Sequence, residues 1–507
     1  MPQSEQNSIR LRPSQEEILS YTHGKMGISA VPGSGKTWTL SLLAANLLTQ
    51  GMLDQDQEIL IVTLVNSAVN NFYQRVSGFV VSRGLIPNIG YRVRTLHGLA
   101  NDIVRERPDL VGLEDGFQII DDNEANDICA DVSLAWLNNH PDYLTEYLSD
   151  SIEPGKLDWV QRGQLPDLVK DVAGSFIRFA KDLRETPDRL VNQIKLQSQP
   201  LPLAIMGCEI YASYQRALAY RGAVDFDDLI RLALLALESD SNLLDRLRYR
   251  WPYILEDEAQ DSSQLQELIL ERLASQHGNW VRDGDPNQAI YETFTTANPK
   301  YLREFVTRMG VSRRDLPESG RSTLSIIKLA NSLVKWTQTE HPLIDARDAL
   351  QSPPEIKPTL PGDPQPNPGD DPTKIFLIKR KYSPQEEIQA VADSAARWLN
   401  THPQGTHAIP VPRNQRGFEG VDEMKHHNVE VVDSLLRSTS STRVTAGALG
   451  NLLRYLADPG APTRLATAWK IWRRIRRGSY FARGATGNTG PSRCPPHRAR
   501  WSWFPPI

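Results

Sequence analysis

The chain has 507 residues, with 57 Lys and Arg against 61 Asp and Glu and a formal net charge of −4. This length exceeds what one hydrophobic core supports and predicts about three or four domains. The near balance of charge excludes a protein that is basic throughout, so any surface that binds nucleic acid has to be local.

The cysteines and the distribution of apolar residues indicate the cellular compartment of the protein. Cys129, Cys208 and Cys494 are far apart in the chain. Their spacing argues against a metal site, a disulfide framework or an iron–sulfur cluster, and predicts ordinary buried thiols. Residues 1–15 lack the apolar core of a signal peptide, and no run is long enough to span a bilayer. We therefore expect a soluble cytoplasmic protein with no membrane partner.

The N-terminal half alternates strand-like and helix-like segments. Apolar runs at 26–31, 58–63 and 91–95 predict strands separated by helices, an order typical of an α/β domain with a parallel sheet. From about 101 to 220 the periodicity is helical, and strand-like runs return at 251–256 and 279–282. The sequence therefore predicts one α/β domain, over 1–100 and 221–325, that is interrupted by a helical insertion over 101–220.

The C-terminal part predicts a second, incomplete α/β domain over 326–445. A helix to about 336 leads into a stretch at 353–372 whose Pro, Gly and Asp content predicts an exposed loop or linker. We expect strands at 374–378 and near 408–411, helices at 384–399 and from about 417, and the start of another helical segment at 446–477. Residues 478–507 contain no Asp, Glu or Lys and no periodicity, which predicts a divergent, disordered tail.

A glycine-rich loop between the first strand and the first long helix carries the first chemical signal. It consists of Ala30, Val31, Pro32, Gly33, Ser34, Gly35, Lys36 and Thr37. Glycines let the backbone N–H groups turn toward a phosphate, a lysine reaches the terminal phosphates, and a hydroxyl at the helix start can hold Mg²⁺. The loop therefore predicts a nucleoside triphosphate ligand, although a chance Gly/Ser loop is the alternative for the motif taken alone.

Two later strand ends add polar groups to this site. The run 253–256 ends in Asp257 and Glu258. In P-loop proteins such a pair supplies a carboxylate for Mg²⁺ and a second one that polarises the attacking water. After the run 279–282, Gln288 is the candidate sensor of the γ-phosphate. Read alone, the acidic pair is more often part of a solvated loop and the segment of Gln288 is simply a turn, but the P-loop upstream favours the functional interpretation.

The ordered motifs resemble those of superfamily 1 DNA helicases of the UvrD/Rep/PcrA type, with features of the related RecB motors. The resemblance rests on the segments 11–15 (LRPSQ), 30–37 (AVPGSGKT), 59–68, 95–98 (TLHG), 224–228 (VDFDD), 256–261 (EDEAQD), 284–291 (GDPNQAIY) and 317–323 (PESGRST). It implies a P-loop NTPase fold with RecA-like motor domains. The implied activity is hydrolysis of Mg-ATP coupled to 3'-to-5' movement along single-stranded DNA in repair or recombination.

The resemblance also implies roles for individual residues. Gln15 would read adenine, Lys36 and Thr37 would hold phosphate and Mg²⁺, and Arg321 would contact the γ-phosphate. Single-stranded DNA would meet polar groups at the strand ends, and a tyrosine would couple them to the ATP sensor. These candidates are Thr63, Asn66, Thr95, His97 and Tyr291, each of which could instead be a helix cap, a loop hydrogen-bonder or a packing residue.

Three positions depart from the pattern of these helicases. Gly320 stands where a Tyr that stacks on adenine is common, Leu64 replaces a common aromatic, and Phe294 lies one position after the usual Trp. These changes predict weaker base stacking and relaxed nucleotide selectivity.

The resemblance ends near residue 477, before the motifs of the second motor that supply another arginine. We therefore expect a truncated or frameshifted product, with a natural basic tail or an arginine from another chain as alternatives. Three functions remain open: a DNA helicase, an ATP- and DNA-binding module with little or no unwinding, and a P-loop kinase or an ATPase that does not act on DNA. The motifs that follow the strand 253–256 disfavour the third. The sequence identifies no partner nuclease or repair protein.

Overall fold

The computed structural model describes residues 10–148, 160–288, 297–351, 354–412, 414–432, 440–457, 462 and 464–469. Its chain divides into two compact units, Met1–Phe376 and Leu377–Ile507. The candidate site residues that the structure describes all lie in the first unit.

A parallel sheet of six strands forms the centre of the first unit. The strands of the unit, numbered in chain order, are β1 (Lys25–Ala30), β2 (Ile59–Thr63), β3 (Tyr91–Thr95), β4 (Gln118–Ile119), β5 (Ala223–Val224), β6 (Tyr253–Glu256), β7 (Trp280–Gly284), β8 (Val311–Leu316), β9 (Glu318–Ser319) and β10 (Lys357–Pro358). The central sheet has the order β3-β2-β6-β7-β1-β8, while β4 pairs with β5 and β9 with β10. All of these pairs are parallel.

Helices cover both faces of the central sheet, because successive side chains of each strand point to opposite sides. Leu255 of β6 and Val281 of β7 belong to the core on the side of helix Lys36–Thr49. Ile254 and Trp280, one position earlier on the same strands, belong to the core on the other side. The predicted α/β fold class is thus confirmed, and five of the six central strands lie where the apolar runs predict them.

The helices of the first unit surround the sheet and build a separate bundle. Those that precede residue 140 are Pro13–Leu19, Lys36–Thr49, Asn66–Ser82, Leu96–Glu106 and Asp122–Asn139. The later ones are Leu165–Asp182, Pro187–Lys195, Pro202–Tyr220, Phe226–Ser239, Ser241–Arg250, Gln264–Ala274, Lys300–Thr307 and Leu324–Glu340.

The helical insertion has its own hydrophobic core, in which Trp136, Ile177 and Tyr211 are buried. Its predicted start at residue 101 falls inside helix Leu96–Glu106, whose side chains pack against the sheet. The insertion is instead bracketed by the small pair β4 and β5, which brings its two ends together. Cys129 and Cys208 are buried free thiols, as expected.

Two parts of the first unit differ from the sequence prediction. The edge strand β8 was not predicted, because its segment Val-Ser-Arg-Arg-Asp-Leu mixes charges into the strand, as edge strands often do. The stretch at 353–372 was predicted as an exposed loop or linker. Most of its described residues are exposed and lie outside helices and strands, as expected, but the stretch is also attached to the sheet edge, since Lys357 donates its N–H to the Pro317 carbonyl at 2.8 Å.

The regular secondary structure among the described residues of the second unit is helical. The helices are Pro384–Thr401, Asn414–His426 and Ser440–Ala457, and Ala392, Ala395 and Met424 form a small core. The strands predicted at 374–378 and 408–411 are wrong, since neither segment pairs with another described strand. Phe376, Leu377 and Ile378 are exposed, so their apolar pattern does not reflect burial in a sheet. The tail at 478–507 lies outside the described residues.

Among the residues that the structure describes, no helix combines the length and the apolar character that crossing a bilayer requires.

Candidate active site

The glycine-rich loop leaves the end of β1 and enters the long helix Lys36–Thr49, as predicted. Gly33 and Gly35 have φ angles of +78° and +90°, a left-handed conformation that glycine adopts without a steric penalty. The helix begins directly at Lys36, so its free N–H groups face the loop. The backbone therefore has the form of an anion-binding helix N-terminus.

The acidic residues Asp257 and Glu258, which follow strand β6, contact the end of this loop. The Lys36 Nζ lies 3.0 Å from the Glu258 Oε2, and the Thr37 hydroxyl donates to the Asp257 Oδ2 at 3.2 Å. Glu258 adopts a left-handed φ of +56°, which is uncommon outside glycine and typical of residues held in place at functional sites. The structure thus brings the four residues predicted to bind phosphate, hold Mg²⁺ and activate water into one cluster.

Several buried carboxyl groups give the site a strongly acidic character. Burial and the neighbouring Glu258 raise the pKa of Asp257 to about 7, and burial likewise raises the pKa of Asp261 to about 6. Burial and Asp257 hold the pKa of Asp283 well above its usual range. Burial lowers the pKa of Lys36, but the attraction of Glu258 and Asp283 outweighs it, so the net pKa is raised and Lys36 stays charged.

The site fits a magnesium–nucleotide complex. The Ser34 hydroxyl and the Asp257 Oδ1 are buried without a hydrogen-bond partner among the described residues, so both can accept new contacts. The described residues contain no group of three or more His, Cys, Asp or Glu arranged for a metal. Mg²⁺ prefers oxygen ligands and is commonly held by one or two carboxylates together with phosphates and water, which matches Asp257 beside the Thr37 hydroxyl.

Gln260 is a site residue that the sequence analysis did not single out. Its side-chain N–H donates to the Glu258 Oε2 at 2.7 Å, and its Oε1 accepts the N–H of Asp285 at 3.1 Å. A Cβ at Gly284 would lie 2.4 Å from that Oε1, so a side chain at this position would displace the Gln260 amide. Gln260 therefore connects the Glu258 carboxylate to the end of β7. In the sequence, the position of Gln260 inside the segment 256–261 was the signal that could have identified it.

The remaining nucleotide-site candidates lie around the loop. Gln15 is buried, donates to the Thr39 hydroxyl at 3.1 Å and accepts the N–H of Arg12. Arg321 is exposed and sits against the loop, since a Cβ at Gly33 would lie 2.6 Å from the Arg321 Cβ. Gln288 is exposed at the end of the β7 turn, and its backbone N–H bonds to the Asp285 carbonyl.

The DNA candidates lie at the ends of β2 and β3, where Thr63 and Thr95 are neighbours in register. Asn66 is exposed at the start of its helix. Thr95 accepts the Gly98 N–H at 3.0 Å, which is the helix-cap alternative. Thr63 is only 1% exposed, so its hydroxyl does not face solvent and direct contact with DNA is disfavoured in this conformation.

His97 lines a cavity of about 590 Å³ between the sheet edge and the helical insertion. Its ring meets the Phe226 ring edge-on at a centroid distance of 5.3 Å. Burial lowers the pKa of His97, so a neutral imidazole is favoured near neutral pH. Tyr291 and Phe294 lie outside the described residues.

The loop, the helix that follows it and the acidic end of a neighbouring parallel strand have the arrangement of a P-loop nucleotide-binding domain. The family described as the UvrD/REP helicase N-terminal domain matches residues 11–309. Because this match covers more than half of the chain, the protein belongs to the UvrD/REP helicase family, and the resemblance stated from the motifs is confirmed.

Curated relatives agree with this family. The probable DNA helicase II homolog of Rickettsia conorii is 28% identical over 333 residues, which cover 65% of this chain and 46% of the relative. The ATP-dependent DNA helicase PcrA of Staphylococcus aureus is 26% identical over 340 residues, which cover 66% of this chain and 41% of the relative. The match therefore spans less than half the length of these relatives.

Proposed function

We propose that the chain is a cytoplasmic, ATP-driven DNA helicase that moves 3'-to-5' on single-stranded DNA in repair or recombination. The convergence of Lys36, Thr37, Asp257 and Glu258 at one end of the sheet carries the proposal. Family membership and the names of the relatives support DNA as the polymer.

Different residues of the site are proposed to bind the phosphates, the metal ion and the adenine base. Loop N–H groups and Lys36 bind the β- and γ-phosphates, and Thr37 and Asp257 hold Mg²⁺. When bound, the metal ion polarises the phosphoryl oxygens and neutralises their charge. Arg321 adds a second positive charge at the γ-phosphate, and Gln15 reads the adenine base.

The ion pair between Lys36 and Glu258 gives the site a simple order of events. When Lys36 binds phosphate, it leaves Glu258, whose carboxylate then orients and polarises the attacking water. Gln260 keeps Glu258 in place through its 2.7 Å hydrogen bond. Because Gln260 also holds the Asp285 N–H, loss of the γ-phosphate reaches the segment that carries Gln288 and Tyr291.

Single-stranded DNA is proposed to bind at the ends of β2 and β3. Asn66 and His97 offer an amide and an imidazole there, and Thr95 offers a hydroxyl that also caps a helix. Thr63 is the weakest of these candidates because it is buried.

Nucleotide binding is tested by calorimetry with Mg-ATP. Lys36→Ala removes a charge-assisted phosphate contact and should weaken binding by roughly 1.5 to 3 kcal/mol. Lys300→Ala is the matched control, since that lysine is exposed and its Nζ lies 3.5 Å from the Glu304 Oε1, away from the nucleotide-site candidates. Equal affinity of the wild type and Lys36→Ala would contradict the proposed phosphate site.

Motor activity is tested by strand displacement with 3'-tailed and 5'-tailed duplexes. We expect ATP-dependent unwinding of the 3'-tailed substrate, and we expect Glu258→Gln to abolish it while ATP still binds. Preference for the 5' tail would contradict the proposed polarity.

A second candidate is an ATP- and DNA-binding module with little or no unwinding. It is favoured by the described residues after 376, which form helices and no strand. This module would bind both ligands, hydrolyse ATP slowly and displace no strand, and Glu258→Gln would leave the displacement assay unchanged.

A further inference from the structure

The Pro-rich segment 357–370 is bonded to the strand end that leads to Arg321. Lys357 and Pro358 pair in parallel with Glu318 and Ser319. The side-chain N–H group of Asn367 donates to the carbonyls of Ser319 at 2.6 Å and Ser322 at 2.8 Å. The segment is therefore part of the first unit and lies next to the glycine-rich loop.

Arg12 and Asp363 form the central contact of this arrangement. The Arg12 Nε lies 2.7 Å from the Asp363 Oδ2 and its Nη2 lies 3.2 Å from the Oδ1, a two-point pairing. The two side chains are only 8% and 4% exposed. Burial raises the pKa of Asp363, but hydrogen bonds from Arg12 and from the Gln365 N–H outweigh it and hold the pKa below its usual range. Asp363 is thus charged, and the pair is shielded from water.

The Arg12 guanidinium also donates a hydrogen bond to the glycine-rich loop. The Arg12 Nη1 donates to the Ser34 carbonyl at 3.1 Å and to the Glu318 carbonyl at 3.0 Å. In a trans peptide the carbonyl and the following N–H point in opposite directions. By holding the Ser34 carbonyl, Arg12 also sets the direction of the Gly35 N–H, one of the groups predicted to face phosphate.

The segment also fills the space beside Gly320. A Cβ at Gly320 would lie 2.3 Å from the Gln365 carbonyl oxygen and 3.0 Å from the Arg12 Nη2. No side chain fits there without moving the segment. The main chain of the Pro-rich segment therefore packs against Gly320, which lies between Ser319 and Arg321, the two residues that lie against Gly33 of the loop.

We infer that Asp363 is a positioning residue for the nucleotide: acting through Arg12, it holds the phosphate-binding loop in shape and couples the Pro-rich segment 357–370 to nucleotide binding. This inference rests on the proposed ATP site and adds a segment that the sequence predicted as a linker. Binding of nucleotide at the loop should in turn hold the segment more firmly, because the coupling is reciprocal.

The test compares Asp363→Asn with Asp371→Asn in the full 507-residue chain. Asp371 is an exposed acid that directly follows the segment 357–370. Its Oδ1 accepts hydrogen bonds from the N–H and the hydroxyl of Thr373, and its Oδ2 lies 3.8 Å from the Lys374 Nζ. Titration with a fluorescent ATP analogue and Mg²⁺ should show about ten-fold weaker binding for Asp363→Asn and no change for Asp371→Asn. In a variant that also carries Arg12→Leu, Asp363→Asn should cause no further loss, because the effect passes through Arg12.

Hydrogen exchange supplies a readout that a purely structural role would not move. Saturating Mg-ATP should slow amide exchange across 357–370 in the wild type, and this slowing should be smaller in Asp363→Asn. If Asp363→Asn fails to fold, the wild-type exchange experiment decides alone. Absence of slowing, or equal affinity of folded wild type and Asp363→Asn, would overturn the inference. Failure of the wild type to bind ATP at all would instead overturn the proposed ATP site.

Discussion

Replacing Lys181 should reveal how the helical insertion is anchored to the α/β body. Lys181 lies at the end of helix Leu165–Asp182 and is fully buried. Its Nζ contacts the Asp225 Oδ2 at 2.5 Å and the Asp228 Oδ2 at 2.8 Å, at the start of helix Phe226–Ser239. Lys181→Met keeps much of the apolar stem and leaves two buried carboxylates without this cation.

The expected loss of stability is about 3 kcal/mol. Removing one partner of a buried ion pair typically costs roughly 3 to 5 kcal/mol, because the other charge stays buried and unpaired. The low end applies here since both acids keep other donors. Asp228 retains Arg231 at 3.1 Å, and Asp225 retains the Tyr214 hydroxyl at 2.8 Å.

The assay is urea unfolding of the full chain followed by circular dichroism, with Lys170→Met as the control. Lys170 lies in the same helix and also pairs with an aspartate, since its Nζ is 3.1 Å from the Asp171 Oδ1, but Asp171 is 70% exposed. Such a pair contributes about 0.5 kcal/mol or less. Similar losses in the two variants would refute the reasoning from burial.

The pH dependence follows from the pKa directions. Burial raises the pKa of Asp228, but Lys181 and Arg231 outweigh it and hold the pKa below its usual range. Its contribution is therefore present above an unfolded pKa of about 3.9 and is lost as pH falls through the lower folded pKa. Burial lowers the pKa of Lys181, but the attraction of Asp228 and Asp225 outweighs burial, so the net pKa is raised. The contribution of Lys181 to stability is therefore lost only in strong alkali. Burial and Asp225 raise the pKa of the neighbouring Asp227 to about 6, so it titrates beside this cluster. We therefore expect the stabilisation to be constant between about pH 7 and 9 in the wild type. The deficit of Lys181→Met should shrink as acid protonates its unpaired carboxylates.

Three further predictions concern the sheet and its edge. Gly284→Ala should lower ATP hydrolysis more than ATP binding, measured as kcat against nucleotide Kd, because its Cβ would displace Gln260 from Glu258; unchanged kcat would contradict this role. Arg282→Met should destabilise the fold by roughly 3 kcal/mol in urea, because the fully buried Arg282 pairs with Glu256 at 2.8 Å; a neutral effect would show that apolar packing replaces the pair. Binding of an oligonucleotide should weaken steeply between 50 and 200 mM salt (about a four-fold rise in concentration) as phosphate contacts release counterions, and Asn66→Ala should reduce affinity; affinity that does not change with salt would argue against phosphate contacts.

The sequence by itself determined the chemistry of the nucleotide site. The glycine-rich loop and the acidic pair at 257–258 are local patterns in which a strand ends and a polar group follows at once. Because parallel strands present their carboxyl ends at one edge of the sheet, these separate segments had to converge. Lys36, Thr37, Asp257 and Glu258 lie together for this reason.

Tertiary structure alone decided the contacts between distant segments. The pairing of Arg12 with Asp363, the bridge made by Gln260 and the burial of Lys181 depend on which surfaces meet, and a Pro-rich stretch or a lone lysine carries no local sign of its partner. The strands predicted at 374–378 and 408–411 failed for the complementary reason. An apolar run becomes a strand only when another strand satisfies its backbone hydrogen bonds, and the described residues offer none there.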